Sequence, residues 1–533
     1  MKAAALLLSI SIIFCRSAPA QVSIEWTKTV DYNALSDMAQ CITLDNAGNI
    51  YSAGGATAIV NSVVGTDFIT VKQNPNGDVE WVRYWGDPVG YSDQANSIAA
   101  DSSGNIYVCG YSQNSLFNVN LTIVKYDTEG NEMWVAKTPV GSSVTDVSVR
   151  NICVAGSYVY ACASAINGSP SIATVKCTLD GSLVWSRNYD GPFFNAHAAG
   201  LEVDNAANVF VAGYSLFDLS AGSEMMLIKY DEAGNELWVS HDSAPGNATE
   251  EALIIKMDEQ GNIFIIGRSD SSSISAMVVS QCNSNGQWQW TKRFAPDGTI
   301  YSQPNDAVLV PGGLVVAGFT YGNFFHPDFL TAKINESGEV LWAERFNNTQ
   351  ANREAFGRSC AVDQAGNIYV TGEVNDSADG LGFQWNIYTV KYTPSGELKW
   401  VMPYNSPQLK DDKALAIALA GDHNPVVVGI SNNDFFVMKY DQLLSVENTE
   451  AQNTLGVFPN PASSSPQVMV TALFPQQLRI VITDAAGRVA HLENLFITAG
   501  KNLIPLPELP AGTCLITATL NGVMVSRKIV IIH

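Results

Sequence analysis

The residues best placed for chemistry in this chain are acids in glycine-rich turns. Asp101-Ser-Ser-Gly104-Asn105, Asp231-Glu-Ala-Gly234-Asn235 and Asp363-Gln-Ala-Gly366-Asn367 share one pattern. The pattern invites a calcium reading, since an EF-type loop sets oxygen ligands at alternate positions. Here the second and third positions vary freely, so turn chemistry accounts for it better. Asp bonds its own backbone, and Gly or Asn accepts positive φ. A second acidic set is Asp37, Asp93, Glu250 and Asp412, each two residues before an Ala, with Asp146 in a looser alignment. On innermost strands around a channel these acids would form a rim able to hold Ca²⁺. The alternative is that each caps the start of its own strand.

Other chemistry has less support. The six histidines, His197, His241, His326, His423, His491 and His533, show no metal-ligand spacing and no H-E-x-x-H. There is no G-x-S-x-G, P-loop, G-x-G-x-x-G or C-x-x-C-H. Of nine cysteines, Cys15 lies in the leader discussed below; the other eight form no C-x-x-C. Cys41 and Cys360 hold comparable places in different repeats, as do Cys177 and Cys282, so small core residues are expected. Cys153 with Cys162 is the one local pair worth testing for a disulfide. With net charge −22, the chain is a poor match for nucleic acid or an anionic membrane surface.

The elements that position these residues repeat. Tryptophans fall at Trp26, Trp81, Trp134, Trp185, Trp238, Trp290, Trp342 and Trp400, at intervals of 55, 53, 51, 53, 52, 52 and 58. Between them lie a turn and strand of the Gly-Asn-Ile-Tyr-Val type, then a second strand of the Thr-Val-Lys-Tyr type. The runs are rich in Val, Ile, Tyr and Thr and read as strands. Two hairpins make four strands, and such a sheet must stack on neighbours to bury both faces. Each Trp is expected on the outer strand between blades, its burial contributing on the order of 4–6 kcal/mol. The last unit stops without a Trp, while Val22 to Val30 carries Trp26 with no strand before it. The expected fold is all-β: an eight-bladed β-propeller of four-stranded blades, its last blade closed by the N-terminal strand.

The unit resembles the secreted bacterial β-propeller repeat, D-x-A … D-x-x-G-N-x-Y-V-x-G … D-x-x-x-x-K-Y-x-x-x-G-x-x-x-W, over about residues 22 to 442. That family is defined by fold and carries no single activity. The G-x-x-x-W ending also resembles the docking motif of quinone-dependent alcohol dehydrogenases, but the adjacent cysteines of those enzymes are absent here.

Composition shifts after Tyr440. Residues 443–455 read as a linker, and 456–533 as a small β-sandwich with a hairpin at Asn521-Gly522. Phe458-Pro-Asn-Pro461, Asp484 with Gly487-Arg488, Leu509-Pro-Ala-Gly512 and Lys528-Ile-Val are similar to the C-terminal sorting domain of the type IX secretion system of Bacteroidota. Cys514-Leu departs from that pattern, which usually has an aromatic. The resemblance implies passage across the outer membrane and handling by the type IX machinery. At the other end, Lys2, the apolar run Ala3 to Phe14 and Ala18-Pro-Ala20 form a signal peptide over residues 1–20. The propeller then spans 21–442, with no transmembrane segment in the mature chain and an extracellular or cell-surface address.

Function follows less directly. The first expectation is a non-catalytic binding or scaffold module for a glycan, peptide or envelope protein. The alternative is an extracellular hydrolase of polysaccharide or peptide. Hairpin turns should face one side, and the more variable connecting loops the other. The ligand face is placed on the loop side, with Tyr84, Trp85, Phe193, His197, Phe325, His326, Asp379 and Trp385 as candidates.

Overall fold

The computed structural model describes two units of the chain. The first is Val22–Gln442, without 33–34, 61–62, 88–90, 116–117, 141–143, 145, 218–221, 243–247, 272–273, 323–325, 347–353, 376–383 and 408–409. The second is described over 455–531, without 459–466, 473–475, 485–487, 498–499, 508, 510 and 521–522. The expected signal peptide, and the expected linker up to residue 454, lie outside the described residues.

Strands fill the first unit in sets of four. Blade 1 spans 37–85, blade 2 93–139, blade 3 146–189, blade 4 196–242, blade 5 249–294, blade 6 301–346 and blade 7 355–404. Within each, the strands pair antiparallel in chain order. One parallel bridge, Ser275 to Tyr301, also links blades 5 and 6. Blade 8 takes three strands from 412–442 and its fourth from Val22–Val30, which pairs antiparallel with Asp434–Gln442 and sets Trp26 opposite Lys439. The first strand of each blade contacts its counterparts in both neighbours, and blade 8 contacts blade 1, so the ring closes. Eight four-stranded blades agree with eight repeats. The edge that an unfinished last blade would expose is covered by the chain's own start.

The sequence explains the layers. Middle strands such as Ile263–Asp270 are buried along most of their length, because a neighbouring blade covers each face. Outer strands such as Val79–Trp85 bury only the Trp and leave the other residues exposed or half-buried. That Trp ties two blades together. The Trp81 indole donates to the Thr128 carbonyl at 3.2 Å, and the Lys72 ammonium reaches the same oxygen at 3.0 Å. Trp134 with Lys125 does the same at Leu179, Trp185 with Lys176 at Glu232, and Trp342 with Lys333 at Pro394. Beneath the Trp81 ring lies Gly130, at φ 79°, where a β-carbon would come within 2.7 Å of the indole. The turn thus needs glycine both for its left-handed backbone and for room.

The Asp-x-x-Gly-Asn turns are self-contained. In the Asp101 turn, one carboxylate oxygen accepts from the Ser103 and Asn105 amides, both at 2.9 Å. The other accepts from the Asn105 side chain at 2.8 Å and the Tyr107 hydroxyl at 3.0 Å. Asp45 and Asp363 are bound the same way by Asn49 with Tyr51 and by Asn367 with Tyr369. The D-x-x-G-N-x-Y motif is a hydrogen-bonded unit, with its acid's oxygens already taken.

The second unit has a three-stranded and a four-stranded sheet. Leu478, Ile480, Ile482, Cys514 and Ile516 are buried in its core with Val468 and Val470. Cys514 fits this apolar interior despite its departure from the family pattern.

Candidate functional site

The site candidates sit where the innermost strands begin, on the loop side. Each of these strands carries one bulged residue: Gln40, Asn96, Arg150, Ala199, Leu253, Asn305, Arg358 or Leu415. Counting back three residues aligns the strands. The position holds Asp37, Asp93, Val147, Ala196, Glu250, Ser302, Ala355 and Asp412. Asp146 is therefore one residue out of register, and it is exposed.

The structure gives each of the four acids a local partner at its strand start. Asp37, Asp93, Glu250 and Asp412 are buried to within 1% of full coverage. Asp37 accepts from the Tyr32 and Thr57 amides at 2.6 and 3.1 Å. Asp93 accepts from the Asp87 and Gln113 amides at 2.7 and 3.1 Å, and Asp412 from the Ser406 amide at 2.6 Å. Glu250 pairs with Arg293. The acids clamp the incoming loop, or the outer strand, to the strand start. Burial pushes Asp37 up to about 6 and Asp93 up to about 7, with Asp87 and Asp67 adding repulsion at Asp93. Among the described residues no group of three or more His, Cys, Asp or Glu side chains could hold a metal ion.

The next position along differs from blade to blade: Met38, Gln94, Ser148, His197, Glu251, Gln303, Phe356 and Lys413. Opposite them on the second strand stand Gly55, Tyr111, Ser164, Tyr214, Arg268, Phe319, Glu373 and Ile430. Small or flexible residues suffice in blades 1 and 3. Blades 4 to 8 carry rings and charges. His197 stacks on Tyr214 at 4.7 Å, and burial, with Arg150 nearby, holds the imidazole below its usual range. Arg268 donates to Glu251 at 2.9 Å, Tyr301 at 2.5 Å and Gln303 at 3.0 Å. Tyr301 stacks on Tyr321 at 4.7 Å and on Phe319 at 5.8 Å. Phe319 meets Phe356 edge-on at 4.8 Å, and Phe356 meets Trp385 at 5.6 Å. Arg268, Arg358 and Lys413 lie over Tyr301, Phe356 and Trp385 respectively.

Of the expected ligand-face residues, His197 and Trp385 fall in this band. Tyr84 stacks instead on Tyr32 at 4.1 Å, and Trp85 packs against Phe68 at 5.2 Å. Phe193 is exposed in the turn before blade 4, and His326 is partly buried before Asp328–Asn335. Phe325 and Asp379 lie outside the described residues. The residues missed were Tyr301, Phe319, Phe356 and Arg268. For Phe356 a signal was present in the variable middle residue of D-x-A, once the repeats are aligned by bulge; Phe319 and Arg268 are the second-strand partners of that position in blades 6 and 5, and Tyr301 lies two residues before it in blade 6.

The free cysteines include both Cys153 and Cys162. Cys153 pairs across the hairpin with Tyr160, and the Cys162 thiol turns to Asn151 at 3.4 Å, so the local disulfide does not form.

With the geometry in place, comparison with known proteins adds an address. Residues 456–532 match the secretion system C-terminal sorting domain. The sorting domain indicates export by the type IX system, as in Bacteroidota, to the cell surface or the surrounding medium. The beta-propeller repeat family (SBBP) matches residues 80–118. No curated protein matches the chain. In fold, the chain is similar to a europium-containing methanol dehydrogenase, with TM-score 0.50, 10% identity, and 78% of this chain and 85% of that one covered. It is also similar to the WD40 domain of SCAP from fission yeast, with TM-score 0.44, 13% identity, and 80% and 98% covered. At such identities the likeness extends to fold alone. Among the described residues no helix is long and apolar enough to cross a membrane.

Proposed function

We propose that the exported propeller is a non-catalytic binding module whose ligand face is the inner band of blades 4 to 8 on the loop side. One observation carries the reading. In the register where blades 1 and 3 have Met38, Gly55, Ser148 and Ser164, blades 6 and 7 have Phe319 and Phe356, which join Tyr301, Tyr321 and Trp385 in one run of partly exposed rings, with charged and hydrogen-bonding side chains beside them from blades 5, 7 and 8. The fold does not require those rings, since the same register is satisfied without them. Convergent aromatic and polar groups are the usual makings of a recognition site.

The test is a glycan and peptide array probed with the full chain, with calcium and with chelator. Saturable binding with no turnover of the bound compound supports the proposal. Cleavage of an array compound would replace it with the hydrolase reading.

A further inference from the structure

Resting on that reading, we infer that the band in blades 6 and 7 is a platform for an uncharged polysaccharide chain. Five rings form it in sequence: Tyr321, Tyr301, Phe319, Phe356 and Trp385, with neighbouring centroids 4.7 to 5.8 Å apart. They come from two adjacent blades, so the run crosses a seam and is longer than one blade could offer. Pyranose rings present flat C–H faces, and a row of partly exposed aromatic side chains matches several sugar units in succession.

The charges beside the rings decide between sugar types. Arg268 is bonded to Glu251 at 2.9 Å and lies 3.2 Å from Asp270. Arg358 is paired with the buried Glu373. Lys413 lies 3.7 Å from Asp411. Each cation therefore already faces a carboxylate. A uronate or sulfate would have to displace that carboxylate or sit beside it. A hydroxyl group can instead donate to the carboxylate and accept from the cation. Gln303, whose amide nitrogen reaches the Pro304 carbonyl at 3.3 Å, adds a neutral hydrogen-bonding group at the edge of the run. Paired charges next to rings suit a neutral polyol better than an anion.

Phe356 and Trp385 allow a test that spares the fold. The register of Phe356 holds Met38 in blade 1 and Gln94 in blade 2, and that of Trp385 holds Ser223 in blade 4. Phe356→Gln and Trp385→Ser therefore borrow residues that the same fold already uses. The full chain and both variants are titrated with soluble neutral glucans, mannans and xylans, and with alginate and a sulfated galactan, at about 0.05 and 0.5 M salt. Unchanged far-ultraviolet circular dichroism confirms that the variants fold. The expected result is binding to at least one neutral polymer, weakened about tenfold by each variant, and changed less than twofold by salt because no ionic screening is involved. Binding only to the acidic polymers, with loss at high salt, overturns the neutral-sugar assignment and leaves the binding-module reading standing. Peptide binding lost in both variants does the same. Neutral-glycan binding unaffected by either variant overturns the platform. No binding to any polymer or peptide removes both proposals.

Discussion

Trp26, from the first strand of the chain, lies over Gly77 in the second turn of blade 1. A β-carbon on Gly77, which has φ 82°, would come within 2.5 Å of the indole. The contact repeats the one between Trp81 and Gly130, but here it joins the two ends of the ring. Trp26 reaches blade 8 only because Val22–Val30 pairs with Asp434–Gln442.

Ring closure should therefore depend on Trp26. Trp26→Ala should lower stability by roughly 2–4 kcal/mol, less than for a fully buried Trp. Gly77→Val should do comparable harm from the other side, through clash and left-handed strain. The double variant should cost less than the sum, because both changes break one contact. Urea unfolding measures all three, and full additivity would show that the contact does not carry the closure.

At the Trp81 latch, ring and hydrogen bond can be separated. Trp81→Phe keeps most of the buried ring but loses the donor to Thr128, and should cost about 1 kcal/mol. Trp81→Ala should cost roughly 3–5 kcal/mol. Equal losses in the two variants would mean that the hydrogen bond, not the ring, holds the blades.

Asp101 should be structural. Burial acts to raise its carboxyl, but hydrogen bonds from Asn105, Tyr107 and Ser103 outweigh this and hold it below the usual range. Asp101→Ala should destabilise by roughly 2–3 kcal/mol. Added calcium should leave the thermal midpoint of the wild-type chain in place, and a rise of several degrees at millimolar calcium would revive the metal reading.

Stability should be greatest in mildly acidic solution. Asp37 and Asp93, raised to about 6 and about 7 chiefly by burial, hold protons that the unfolded chain releases near pH 4. Their contribution is complete below about pH 4 and is lost as pH rises through 6 and 7. Asp101 and Asp363 act oppositely, since their carboxyls are lowered and their contribution fades below about pH 4. Thermal midpoints from pH 3 to 9 should peak between these limits. Asp93→Asn should flatten the alkaline side, and an unaltered slope there would rule out Asp93 as a source.

The thiols should be silent in the native state. Burial pushes Cys41 and Cys162 up to about 12. Cys109, Cys177, Cys282 and Cys360 are buried and free. A thiol reagent should react slowly before denaturation and fully after it, and a reducing agent should leave the midpoint unchanged.

By itself, the sequence determined the strands, their grouping in fours and the place of the anchoring Trp. These rest on local physics: β-branched runs, glycine turns, and a Trp spaced to meet the next blade. The sorting domain was equally legible, because motifs such as Phe458-Pro-Asn-Pro461 and Gly487-Arg488 are short and contiguous in the chain. Tertiary structure alone decided the fate of the acids. Asp93 stands in the same pattern whether it points to a channel or to the Asp87 and Gln113 amides, and only the path of the incoming loop selects between them. It also decided the candidate site. Phe319 and Phe356 are 37 residues apart in the chain and in different blades, and their rings meet because the bulge at Arg358 fixes which residues of neighbouring inner strands share a seam. Side-chain direction along a strand alternates with every residue, so a one-residue ambiguity such as Asp146 against Val147 reverses what a position faces. Pairing across blades resolves that ambiguity, and no single repeat contains the information to do so.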